Sequence, residues 1–89
     1  MDFIDVESRL ALILQKRTHI DFKTRIDLRD EKLLGDKIGM PARELLLALY
    51  DIERKFAMKI PDQYIMGGYF DTYNHIMDII IESTGHAKI

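Results

Sequence analysis

Catalysis needs a nucleophile, a base or a metal, and this chain offers few candidates for each. It has no cysteine, and its only serines are Ser8 and Ser83. His19, His75 and His86 stand far apart, without cysteines or helix-spaced partners, so they read as surface histidines and not as metal ligands. Asp51 and Glu53 are two residues apart and fall on different sides of a helix, which argues against a paired-carboxylate acid and base. Gly67-Gly68 is too short for a phosphate-cradling loop and reads as a hinge or turn. These residues point away from an enzyme and from any metal or cofactor chemistry.

What remains is binding. Met40-Pro41-Ala42 opens a helix, and the free N–H groups of a helix start can hold an anion or a partner's backbone. The plainer reading is a stable helix start in which Pro41 restricts the unfolded chain. Further along, Arg43, Leu47, Tyr50 and Arg54 share one helix face. On the functional reading Tyr50 and Leu47 anchor a partner while Arg43 pairs with a carboxylate. On the plainer reading Leu47 and Tyr50 pack beneath a long connection. A homodimer burying the same two side chains is a third reading.

The elements that must position these residues are helical. Residues 2–16 place Phe3, Val6, Leu10, Ile13 and Leu14 on one face, with Leu12 turned away. Acidic residues sit at the start of this helix and Lys16 and Arg17 at its end, which suits the helix dipole. Residues 18–38 read as a long connection pinned by Ile20, Phe22, Ile26 and Leu28, because a lone strand would find no partner. Within it, residues 29–37 can form a helical turn with Leu33, Leu34 and Ile38 inward. Pro41 suits the first position of the next helix. That helix places Ala42, Leu45, Leu49, Ile52 and Phe56 on its core face, and Leu46 and Ala48 flank them. Ile60-Pro61 ends the element. Residues 62–66 are long enough for one turn. Thr72 is the expected N-cap of a last helix in which Tyr73, Ile76, Ile79, Ile80 and Ser83 follow the helical period, with Gly85 as its stop. Met58, Met66 and Met77 read as core filler, and residues 86–89 as a frayed tail.

Composition agrees with one small globular domain over residues 1–89. Hydrophobic residues make up 47% and charged residues 31% of the 89. A net charge of −2, from 13 basic and 15 acidic residues, gives no field for nucleic acid. No apolar run is long enough to span a membrane. The absence of cysteine fits a reducing cytoplasm, and Asp2 and Asp5 at the N-terminus are unlike a signal peptide. The expected fold is all-α: three substantial helices and one or two short ones in an irregular four-helix bundle.

Taken in order, Ile38-Gly39-Met40-Pro41-Ala42, the helix to Phe56 and Met58-Lys59-Ile60-Pro61-Asp62 resemble the acyl carrier and peptidyl carrier proteins. The family pattern is an aliphatic residue and glycine, one residue, Asp-Ser, a helix ending in Phe and an Ile-Pro-Asp-like exit, and the spacing fits without a gap. Phe70-Asp71-Thr72 with Ile76 and Ile79 resembles the start of the family's last helix. Leu34 resembles the hydrophobic anchor of the preceding loop. The resemblance covers residues 28–80 and implies an acyl-carrier-protein-like bundle.

In that family the serine at the helix start carries 4′-phosphopantetheine. Here Ala42 stands at that position and Pro41 at the aspartate's, so the resemblance implies the fold while the sequence lacks the oxygen to esterify. The expectation is a non-catalytic binding or scaffold partner, without cofactor, like the carrier-related proteins of bacterial peptide-maturation clusters. The alternative is a genuine acyl or peptidyl carrier whose serine was mutated to Ala42. The family docks partner enzymes on this helix, usually through acidic residues. Residues 41–56 instead hold three acidic and three basic groups. The candidate partner-binding residues are therefore Met40, Arg43, Leu47, Tyr50 and Arg54, facing a partner enzyme or peptide of another kind.

Overall fold

The described residues form four α-helices and one 3-10 turn, with no strand among them. The computed structural model describes residues 3–85. The helices are α1 (Phe3–Thr18), α2 (Ala42–Lys55), α3 (Asp62–Met66) and α4 (Tyr73–Thr84), and the 3-10 turn spans Ile26–Leu28. The side chain of Phe3 and residues 86–89 lie outside the described residues. No described helix is long and apolar enough to cross a membrane.

α4 is the centre of the core. Tyr73, Ile76, Met77, Ile79, Ile80 and Ile81 are all buried along it. A helix apolar over most of its circumference must be covered on several sides; α1 packs against it, and Phe22 of the long connection stacks on Tyr73. Ser83, expected to continue the buried row, is exposed at the end of the helix. Thr72 caps the start as expected, accepting from the His75 N–H at 3.1 Å, and Gly85 ends α4 in the left-handed conformation (φ 72°).

α1 buries Val6, Leu10, Ala11 and Leu14. It runs two residues beyond the expected end, to Thr18, whose hydroxyl donates to the Leu14 carbonyl at 2.7 Å and accepts from the Ile20 N–H at 3.1 Å. His19 then takes a left-handed turn (φ 62°).

Residues 19–41 form a pinned connection. Phe22 is fully buried and stacks on Tyr73 with ring centroids 5.2 Å apart. Arg29 holds this part of the chain in place. It donates to the Phe22 carbonyl at 2.7 Å and to Glu7 at 3.2 Å, and lies 5.0 Å from the Tyr73 ring centre. The Leu33 N–H donates to the Asp71 carbonyl at 2.9 Å, and the Met40 N–H donates to the Leu33 carbonyl at 2.8 Å.

Two expected anchors of this connection point outward. Ile26 is 65% exposed and Leu34 53%. Ile26 and Leu28 share one 3-10 turn, where residues two apart cannot face the same way, and Leu28 takes the core. Leu33 and Leu34 are sequence neighbours, and the two hydrogen bonds at Leu33 turn it inward. Met66 is no core filler; it is largely exposed, whereas Met77 is buried and Met58 packs against the core.

α2 buries Ala48, Leu49 and Ile52. Pro41 is its N-cap and not its first helical residue: φ −64° and ψ 146° are extended, and its carbonyl accepts from the Glu44 and Leu45 N–H groups at 3.0 and 3.1 Å. Proline's fixed φ is compatible with either position. The helix ends with Ala57 left-handed (φ 50°) and the Met58 N–H donating to the Glu53 carbonyl at 3.1 Å. Gly68 (φ 76°) is the left-handed residue that turns the chain after α3. A side chain at Gly67 would stand 2.9 Å from the Gln63 carbonyl. Both glycines are therefore required by the turn.

Candidate functional site

The outward edge of α2 carries Arg43, Leu47, Tyr50 and Arg54, all exposed. Leu47 is 36% and Tyr50 50% exposed, so both side chains reach the surface. Their spacing of three and four residues sets them in one ridge, opposite Leu45, Ala48 and Ile52. Arg54 lies 3.9 Å from Asp51 at the flank of this ridge. Met40 does not join it. It is 4% exposed and belongs to the core beneath the start of α2.

On one flank of the ridge is a shallow apolar groove of about 340 Å³. Ala42, Leu46 and Leu49 of α2 line it, facing Leu34, Ile65 and Phe70. Ala42 is exposed at its edge and does not lie on the core face as its spacing suggested. Leu46 is 50% and Ile65 43% exposed. Leu46 is one turn from Tyr50, so the groove runs into the ridge as one apolar surface. Sequence reasoning missed Leu34, Leu46 and Ile65 as surface residues. The signal was present in Leu45-Leu46-Leu47, because three consecutive helical residues sweep about 200° and cannot all face a core.

On the other flank α1 and α2 are clamped. The Arg17 guanidinium donates to Asp51 at 3.2 and 2.7 Å and to Glu44 at 3.1 Å. Its hydrogen bonds to Asp51 and Glu44 hold it charged above its ordinary range.

A polar cluster lies at the start of α4. His75 Nδ1 is 2.6 Å from Asp71, one helical turn back, and Asp71 also pairs with Lys32. The sequence reading gave His75 no helix-spaced partner; Asp71 is that partner. Tyr69 stacks on the His75 ring at 4.0 Å. Burial pushes the Asp71 carboxyl up, but the hydrogen bonds from Lys32 and His75 outweigh it and leave the group below the usual carboxylate range. The neighbouring hydroxyl, Thr72, is occupied in capping α4. The cluster fastens the 19–41 connection to α4.

Among the described residues no group of three or more His, Cys, Asp or Glu is placed to hold a metal ion. The start of α2 does not fit a phosphodiester-linked prosthetic group either. Ala42 offers a methyl group there, Ser8 lies in α1 and Ser83 at the far end of α4. Comparison with protein families, with curated proteins and with solved structures finds no match to this chain.

Proposed function

We propose that this chain is an acyl-carrier-protein-like domain, an irregular four-helix bundle of that type, that lacks the attachment serine and acts as a non-catalytic binding or scaffold partner. Its place is a peptide-maturation or related biosynthetic pathway in the cytoplasm. The observation that carries the reading is the start of α2. An exposed Ala42 stands where the resemblance puts the modified serine, and an apolar surface from Leu34 through Leu46 to Tyr50 begins beside it.

Exposed leucines and tyrosine on a helix edge favour association when their apolar area is covered. Tyrosine and arginine are the side chains that most often dominate such contacts. Arg43 and Arg54 border the apolar surface, so the partner presents carboxylates at its rim and an apolar centre. The resemblance supplies the class of partner, an enzyme of the pathway or its peptide substrate.

The test has two arms. Incubation with coenzyme A and a broad-specificity phosphopantetheinyl transferase leaves the intact mass unchanged; a gain of one phosphopantetheine ends the reading. Co-purification from the native host recovers a pathway protein that is lost with Tyr50→Asp, while circular dichroism shows the variant folded. Retention by that variant also ends it.

A second reading is favoured by the exposure of Ala42. A serine there would present its hydroxyl to a transferase, as in a genuine acyl or peptidyl carrier mutated at this position. The native gene decides this: a serine codon at position 42 establishes it, and an alanine codon removes it.

A further inference from the structure

We propose that the groove between α1 and α2 docks an acidic segment of a partner protein, through a surface distinct from the apolar groove on the opposite flank of α2. The groove measures about 500 Å³ and is lined by Arg9, Leu12 and Lys16 of α1 and by Asp51, Arg54 and Lys55 of α2. Arg9, Leu12 and Lys16 recur at i, i+3 and i+7, so they stand in one row along α1. Arg54 and Lys55 close the far side from the last turn of α2.

The charge of this lining runs against that of the whole chain. The protein carries −2 overall, yet the lining sets four cations against the single carboxylate of Asp51. That carboxylate is already held by Arg17 at 2.7 Å. Arg9, Lys16 and Lys55 have no ion-pair partner among the described residues. With Asp51 as the one carboxylate among them, the four cations leave a net positive lining that an anionic occupant offsets. In their midst Leu12 is 65% exposed, with Ile13 half-buried beside it.

Leu12 selects a protein segment among the anionic occupants. A leucine ringed by cations gains from apolar cover, which a segment with an aliphatic residue between its carboxylates provides. The lining has no aromatic side chain on which a base could stack. A two-fold dimer through this groove would set the cationic row against itself.

The test is an NMR titration of the isotope-labelled chain with a synthetic peptide of mixed Glu and Leu. The controls are the same peptide with Lys for Glu, vesicles of phosphatidylcholine and phosphatidylserine, and a short DNA duplex. The Glu peptide is expected to move the amides of residues 9–16 and 51–55 saturably. Its affinity should fall about tenfold between ~50 and ~300 mM salt, and by a similar factor with Arg9→Gln plus Lys55→Gln. Leu12→Ala should weaken binding while leaving the salt dependence in place. Leu34→Ser, an uncharged change on the far side of α2, should leave binding unchanged, which separates this groove from the apolar one. No saturable shift, equal binding of the Lys peptide, or preference for vesicles or DNA overturns the proposal.

Discussion

The Arg17 guanidinium at the end of α1 grips the Asp51 carboxylate of α2 through two hydrogen bonds, at 3.2 and 2.7 Å. This forked contact sets the separation of the two helices and neutralises the one carboxylate that lines the groove between them. Arg17→Ala should lower the melting temperature and leave Asp51 to compete with an acidic occupant. Arg17→Lys should restore only part of the stability, because an ammonium lacks the planar fork. Thermal denaturation of the two variants checks the order; full rescue by lysine would reduce the contact to simple charge.

Leu33 and Leu34 give a sharper contrast. Leu33 is fully buried, whereas Leu34 is 53% exposed at the apolar groove. Leu33→Ala should cost about 2–5 kcal/mol of stability in urea titration, as core truncations of leucine do. Leu34→Ser should stay within about 0.5 kcal/mol of the natural chain and weaken partner binding. Equal costs for the two would contradict the surface assigned to Leu34.

That pair also shows how far the sequence could be read. Periodicity located α1 and α2 because each alternates buried and exposed residues at helical spacing, and α4 was located by its recurring isoleucines, with Thr72 and Gly85 marking both ends by their own chemistry. The 19–41 connection resisted because its inward residues are chosen by long-range bonds, such as Leu33 N–H to the Asp71 carbonyl. No local pattern carries that information. At the candidate site, the ridge of Arg43, Leu47, Tyr50 and Arg54 was legible as a helix face. The groove beside it was not, since it is completed by Leu34, Ile65 and Phe70 from other parts of the chain. Met40 looked available in the sequence but is buried among the core residues.

Tyr73 predicts an alkaline limit. Burial pushes its phenol up to about 12, and its hydroxyl donates to the Glu7 carbonyl at 3.1 Å. The unfolded chain releases this proton near pH ~10. The stabilisation is therefore complete below pH ~10 and lost as pH rises through the folded value. Tyr73→Phe should be less stable at neutral pH, by about 1 kcal/mol, and should lose less stability above pH ~10 than the natural chain. Chemical denaturation from neutral to alkaline pH measures both.

Ala57 ends α2 at φ 50°, a conformation that crowds Cβ against the following carbonyl. Ala57→Gly relieves this strain and should stabilise the chain by up to about 1 kcal/mol after the added freedom of the unfolded state is counted. A lower melting temperature for this variant would mean that the turn is held by something other than its backbone.

The proposed docking surface is the α2 edge around Leu47 and Tyr50. Its most direct test is a photo-crosslinking amino acid at position 47, introduced into the full chain in the native host. The predicted result is one defined heterologous adduct that disappears when Tyr50→Asp is added. No adduct, an adduct with a second copy of this chain, or an adduct that survives Tyr50→Asp would contradict the account.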